Sequence, residues 1–285
     1  MKKISNYGRW GKEDERGTLN LISDSTVLSA LNLPNKGKVY SLGAKVGAKG
    51  PKAPKRNNSW HTVTVFDSEN RSEADDLLVT HCHASTHIDA LSHVWYDNEL
   101  YNGHSSEHVG RFGADKCGIE NVKWLIGRGI LLDIPAAKGI DHLPQDYEIT
   151  SEDLEFTLNH QKIQSYPGDI VLVRTGWFQQ YGENTDNNLN NAFPGLVPST
   201  SEWFAERDVC AVGSDNVAVE KYDINEDFYK GEFHKIMLRD LGTYLIEFLN
   251  LEELSADKAW EFLFVATPLR IEGGVGSPIN PIAIV

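Results

Sequence analysis

The sequence predicts a mixed α/β protein, and three observations carry that reading. Two short runs, Leu131-Leu132-Asp133-Ile134 and Ile170-Val171-Leu172-Val173, are almost continuously apolar, as strands covered on both faces are. Segments with helix-start signals lie between the strand-like runs, the alternation that builds α/β layers. The 285 residues are 40% hydrophobic and 24% charged, so a sizeable core is available without the bias of a disordered or fibrous chain.

In chain order, a helix is expected over Ser25–Leu33, with Val27, Leu28 and Leu31 as its apolar stripe, Asp24 as cap and Pro34 as stop. The turn-rich basic stretch Gly50–Ser59 reads as an exposed loop. β-Branched and apolar runs predict strands at His61–Phe66 and Leu77–His83, pairing in part antiparallel. Further strands are expected at Gly129–Ile134, Asp169–Arg174, Val209–Gly213 and Glu261–Ile271, the last interrupted at Pro268. Thr150 and Asp153 form a loose capping-box pattern ahead of Leu154, Phe156 and Leu158. Ser199 or Thr200 would cap a short helix through Arg207, and Ser255 one containing Ala259 and Trp260. The Asn- and Asp-rich residues 182–191 read as another loop. With no repeat, low-complexity tract or clear linker, one domain over 1–285 is expected.

A formal charge of -14 argues against nucleic-acid binding, which needs a basic footprint, and weakly against anionic membranes. Cys82, Cys117 and Cys210 are an odd number without CxxC spacing, so neither a disulfide framework nor a thiolate zinc site is expected. Met1–Asn6 leads into polar and aromatic residues rather than a signal-peptide core, and no apolar run approaches a membrane span; cytoplasm is the expected location.

The segment His81–His93 concentrates the chemistry. It holds His81, His83, His87 and His93, four of the ten histidines, with Asp89 among them. Imidazole and carboxylate are the first-row-metal ligands of a protein that is not using thiolates, and a mixed N/O site with open positions is usually catalytic. One histidine alone would be read as solvated or as satisfied in a core; four beside an aspartate are read as a metal site. In an extended chain the odd positions share a face. Four extended residues span roughly 13 Å, whereas ligand nitrogens lie about 2 Å from a metal, so the chain must bend between His83 and His87. The small residues Ala84-Ser85-Thr86 suit such a bend. The expectation is a strand ending near His83 and a loop carrying His87 and Asp89. His81 is the least suited to ligation, and Cys82 is expected to face away as an inert buried thiol.

The same stretch resembles the His-x-Gly-Thr-His-x-Asp-x-Pro-x-His signature of the metal-dependent cyclase family, which includes bacterial-type kynurenine formamidases and isatin hydrolases. Here it reads His83-Ala84-Ser85-Thr86-His87-Ile88-Asp89-Ala90-Leu91-Ser92-His93, with Ser85 in place of the Gly and Leu91 in place of the Pro. Trp10–Asn20, Tyr101-Asn102-Gly103, Gly168–Trp177 and Gly274–Pro278 through Pro281 are similar to further family blocks, the first two to those of a longer branch. The resemblance implies a swivelling β/α/β-type α/β fold with a mixed sheet, and a homodimer or homotetramer. It also implies a late His and Glu at the site, which correspond to His234 and Glu247.

The implied activity is hydrolysis of a small neutral amide, N-formyl compound, cyclic imide or lactone, an amidohydrolase acting on a C–N bond, aided by one or two zinc or manganese ions. His83, His87 and Asp89 would hold the first ion. Asp89 would bridge to a second held by His93, His234 and Glu247; with one ion, His93 would be free as general acid or base. A lyase or true cyclase using the same Lewis acid, and a non-catalytic metal-binding protein, are the alternatives. Trp95 and Tyr96 would line the pocket, as Trp60, Phe66 and Trp177 would with less weight against core packing. Glu272–Ser277 lacks the spacing of a phosphate loop, and Ser214-Asp215-Asn216 lacks a nucleophile elbow. Asp215 is assigned either to supporting the site from a strand end or to a turn.

Overall fold

A computed structural model describes residues 4–53, 56–181, 192–223 and 231–285. The predicted loop over 182–191 lies outside the described residues. The strands that matter here are β1 (Val39–Ser41), β2 (Trp60–Asp67), β3 (Ser72–Val79), β4 (His87–Asp89), β5 (Leu125–Asp133), β6 (Ile170–Arg174), β7 (Ala211–Ser214), β8 (Tyr244–Glu247), β9 (Glu261–Ala266), β10 (Gly276–Pro278) and β11 (Ile282–Ile284). The helices are α1 (Asp24–Leu31), α2 (Ile134–Lys138), α3 (Ser151–Gln161), α4 (Trp177–Tyr181), α5 (Thr200–Glu206), α6 (Glu232–His234) and α7 (Glu252–Ala256).

Nine strands form one mixed sheet in the order β1-β11-β9-β5-β6-β7-β8-β4-β10, so the fold is α/β as expected. The four central strands, β5 to β8, run parallel, and the flanking pairs are antiparallel. β6, β7 and β8 are buried along their whole length, and for β6 this is why Ile170–Val173 reads as an apolar run rather than an alternating one. No helix among the described residues is long and apolar enough to cross a membrane.

The strongest local signals gave the elements expected of them. Thr150 caps α3 in a capping box, with the Asp153 carboxylate accepting from the Thr150 backbone N–H at 3.0 Å. β9 ends at Ala266, two residues before Pro268, which has no N–H to offer a ladder. Other expectations need correction. The cap of α1 is Ser23, not Asp24, and Leu28 and Leu31 are exposed while Ala30 is buried. Ser255 lies inside α7 rather than capping a helix, and Ala259 and Trp260 follow that helix. The stretch 50–59 is not a freely exposed loop: Pro51, Ala53 and Ser59 are buried, and the Pro51 carbonyl accepts from the Ser85 N–H at 2.8 Å.

The N-terminal motif serves as a clamp. Asp14 accepts from the Tyr101 hydroxyl and the Gly17 N–H, and Thr18 donates to the carbonyls of Cys210 and Gly242, at the entrances to β7 and β8. Asp215, at the end of β7, accepts from the Thr175 N–H and hydroxyl and from the Gly176 N–H, each at 2.8 Å. Its role is therefore the turn after β6. Burial pushes its carboxyl up to about 6, against the Arg174 charge and those hydrogen bonds.

Candidate metal centre

Strand register brings the candidate ligands together. β4 lies between β8 and β10, with Glu247 opposite His87 and Gly276 opposite Asp89. Alternation turns His87 and Asp89 to one face and Ile88, fully buried, to the other. This reverses the expected layout. β3 ends at Val79, His83 sits on the following turn, and His87 and Asp89 belong to a strand rather than a loop. Ser85 makes the bend with φ of 56°, a conformation that favours glycine. Its hydroxyl donates to the Ala44 and Lys45 carbonyls, partners that offset the unfavourable backbone. Gly276 has no side chain for a related reason: a Cβ there would stand 2.5 Å from Cε1 of His83.

The six predicted residues converge. His83 Nδ1 lies 2.8 Å from Asp89 Oδ1, and His87 Nε2 lies 3.5 Å from that oxygen and 3.3 Å from Glu247 Oε2. His234 Nε2 is 3.2 Å from Glu247 Oε1 and 3.7 Å from Asp89 Oδ2. His93 stacks on His83 with ring centroids 4.0 Å apart, and its Nε2 is 3.9 Å from Asp89 Oδ1. Among the described residues, two sets of three could each hold an ion: His83, His87 and Asp89, and Asp89, His234 and Glu247. Asp89 is common to both, and His93 is in neither. His81 is exposed, as expected of a non-ligand, whereas Cys82 is half-buried rather than buried.

A divalent cation fits this donor set. His83 Nε2, His87 Nε2 and Asp89 Oδ2 are buried without a hydrogen-bond partner, a costly condition that a cation removes. The Ser85 carbonyl lies 2.9 Å from His87 Nδ1, which donates to it and leaves Nε2 as the ligating atom. His234 Nδ1 likewise bonds to Glu220, whose other oxygen accepts from the Phe233 N–H at 3.1 Å. Glu220 is a site residue that sequence reasoning missed: fourteen residues separate it from His234, and no local pattern joins them.

Charges at the site are strongly coupled. Burial would lower the pKa of His87, but facing Glu247 and Asp89 raise it to about 9. Burial would raise Glu247, yet His87 and His234 hold it down at about 2. Burial, with His83 and His234 nearby, lowers His93 to about 3 against the attraction of Asp89, so its imidazole is neutral. Because His87 is protonated near neutrality, ligation there must release a proton. Metal affinity is expected to rise about tenfold or more per pH unit from pH 6 to 8, levelling as pH passes about 9. Calorimetric titration in buffers of different ionisation heat checks this, and uptake without proton release would contradict it.

His93, His234, Glu220 and Glu247 border a cavity of about 550 Å³, within the range of small-molecule sites. Its walls include Val94, Leu196, Val197, Pro198 and Val217, and Arg56 lines it from the 50–59 stretch. The Arg56 guanidinium donates to the His83 carbonyl. The aromatic residues expected to line it do not, and Tyr222 does. The Tyr96 hydroxyl donates to Asp240 and its ring packs on Arg239, and Trp95 does not border the cavity. Trp177 packs with Phe193 and Phe248, while Trp60 and Phe66 are exposed on the β2–β3 hairpin.

The Cyclase family model matches residues 38–221. A crystal structure of a novel cyclase superposes with a TM-score of 0.92 at 36% identity, covering 99% of this chain and 100% of that one. The isatin hydrolase of Roseibium aggregatum is 25% identical over 231 residues, 79% of this chain and 80% of that protein. Cyclase-like protein 2 of Arabidopsis thaliana is 26% identical over 262 residues, 87% of this chain and 79% of that protein.

Proposed function

We propose, from the premise that this chain belongs to the Cyclase family, that it is a metal-dependent hydrolase opening a small amide, N-formyl, cyclic imide or lactone bond. The observation that carries the reading is the pair of ligand triads sharing Asp89 at the edge of a cavity with apolar walls. The similarity to isatin hydrolase supports C–N cleavage in a ring as the first class to try.

His83, His87 and Asp89 would hold one divalent ion, zinc or manganese, and Asp89, His234 and Glu247 a second. When bound, such an ion acidifies water toward neutrality and polarises a substrate carbonyl. The protein's own part is to orient and to move protons. The Ser85 carbonyl and the Glu220 carboxylate fix the ring orientations of His87 and His234. His93, at the cavity wall and in neither ligand triad, is placed to move a proton between water and the leaving nitrogen or oxygen. Arg56 presents a guanidinium at the same cavity, able to donate to a second substrate oxygen. Val94, Leu196 and Val217 give the cavity an apolar wall on which a ring or acyl group can pack.

His93→Ala is expected to reduce turnover by roughly 10²–10⁴-fold, the scale of general acid–base catalysis, with the melting temperature nearly unchanged. A large loss of stability with turnover intact would mark a structural ion instead. The reaction class is tested by screening amides, imides and lactones in ¹⁸O-labelled water. Label in the product supports hydrolysis; turnover without label would require an elimination or ring closure.

A further inference from the structure

Arg56 is held beside the candidate metal centre by contacts on both sides of it. Its backbone N–H donates to the Ala53 carbonyl at 3.3 Å, and Ala53 is buried in the cluster of Trp177, Phe193 and Phe248. Lys52 bridges to Ala84, and the Pro51 carbonyl takes the Ser85 N–H, so residues 51–53 are tied to the turn after His83. Downstream, the Ser59 and Thr80 hydroxyls bond at 2.7 Å. From this position Nη1 of Arg56 donates to the His83 carbonyl, and the side chain borders the cavity of about 550 Å³. The guanidinium therefore stands one residue's reach from the first ligand, on the side where a substrate would lie.

Most of its donors are unspent. The one side-chain hydrogen bond it makes among the described residues goes to a neutral carbonyl, and no carboxylate there pairs with it. The rest of its planar fork is left for a ligand. A half-buried cation without a counter-ion is a cost that an anion entering the cavity would remove. The other charges on the wall are placed differently. Lys221 and Asp223 each have an interaction within the protein. Glu220 and Glu247 face His234 and His87. Glu148 and Glu232 are exposed, where water and salt screen them.

We propose that Arg56 sets substrate class: the molecule hydrolysed here carries a carboxylate close to the bond that is cleaved, and the Arg56 guanidinium holds that carboxylate through the donors it does not give to His83. The proposal rests on the hydrolase reading above and narrows it from neutral to anionic amides, imides or lactones. The planar fork matches a carboxylate in two parallel hydrogen bonds, so it fixes orientation as well as charge. The fixed Arg56–His83 contact then sets how far the held carboxylate lies from the reacting carbonyl, the kind of positioning that remote binding groups supply.

Isothermal titration calorimetry on the full chain, ion-free and zinc-loaded, tests this with matched carboxylates and carboxamides: benzoate and benzamide, phenylacetate and phenylacetamide, hippurate and hippuramide. In the best-binding pair the wild type is expected to hold the carboxylate roughly 10–100-fold more tightly, the scale of a hydrogen bond to a charged group. Arg56→Gln, which keeps a donor for the His83 carbonyl, is expected to bring that ratio to about one, and Arg56→Lys to leave an intermediate ratio. Lys221→Gln should leave the ratio as in the wild type. No preference for the carboxylate in any pair would overturn the proposal. So would a preference that survives Arg56→Gln, which would place the carboxylate on the ion, or one lost through Lys221→Gln instead. Binding is read here rather than turnover, so each of these failures leaves the hydrolase reading to its own test by label incorporation.

Discussion

Asp89→Asn is expected to abolish metal-dependent stabilisation and turnover together. Asp89 is completely buried, and each of its oxygens faces a different set of donors: Oδ1 toward His83 and His87, Oδ2 toward His234. Its carboxyl is held well below the usual range because His93, His83 and His87 outweigh the cost of burial. The anion is thus present at any working pH. Asparagine keeps the shape but removes the charge and one lone-pair-bearing oxygen, so both triads lose a ligand in one substitution. Loss of an outer partner of a metal ligand costs roughly 10–100-fold in affinity or activity; loss of the shared ligand should exceed that. In thermal melts, ions at about 100 times their dissociation constant stabilise a protein by about 2.7 kcal/mol. The wild type should show that rise with zinc or manganese and the variant none. A variant that still gains stability from the ion would place the ligand set elsewhere.

Arg174→Met is expected to have the largest effect on stability while sparing the site. Arg174 ends β6 and bonds Asp133 at 3.1 Å and Glu252 at 2.7 Å, tying the ends of two central strands to α7. Asp133 is fully buried. Removing its cation leaves a buried carboxylate with only the Ala136 N–H, and such losses cost about 3–5 kcal/mol. For a chain of this size that corresponds to a fall in melting temperature on the order of 10 °C. Metal content per folded molecule should stay at the wild-type value, because Arg174 bonds to none of the five residues of the two triads. A melting temperature within a degree or two of wild type would contradict the account of this pair.

The contrast between these residues also explains what could be read in advance. β5 and β6 were legible because strands buried on both faces must be apolar throughout, and the composition of 130–134 and 170–173 shows it. β4, β8 and β10 were not expected. β4 is three residues long with two polar side chains facing a buried site, β8 ends in Glu247, and β10 contains Gly276 and Pro278. Each is shaped by the site rather than by strand preference, and propensity rules fail at such places. His83, His87, Asp89 and His93 stood out because they crowd one segment. His234 and Glu247 entered only through the family resemblance, since their approach to Asp89 is made by strand pairing between distant parts of the chain. Glu220 and Arg56 carried no local signal at all. Trp95 and Tyr96 were expected in the pocket from nearness to His93. Asp97 and Asn98, both at positive φ, turn the chain there, and Tyr96 is held by Asp240 instead.

The central claim is that His83, His87, Asp89, His234 and Glu247 form a site for divalent ions, and elemental mass spectrometry of the purified protein after gentle dialysis tests it most directly. The account predicts one or two equivalents of zinc or manganese per chain. Absence of both, even after incubation with each ion, would contradict it and return the histidine cluster to a structural role.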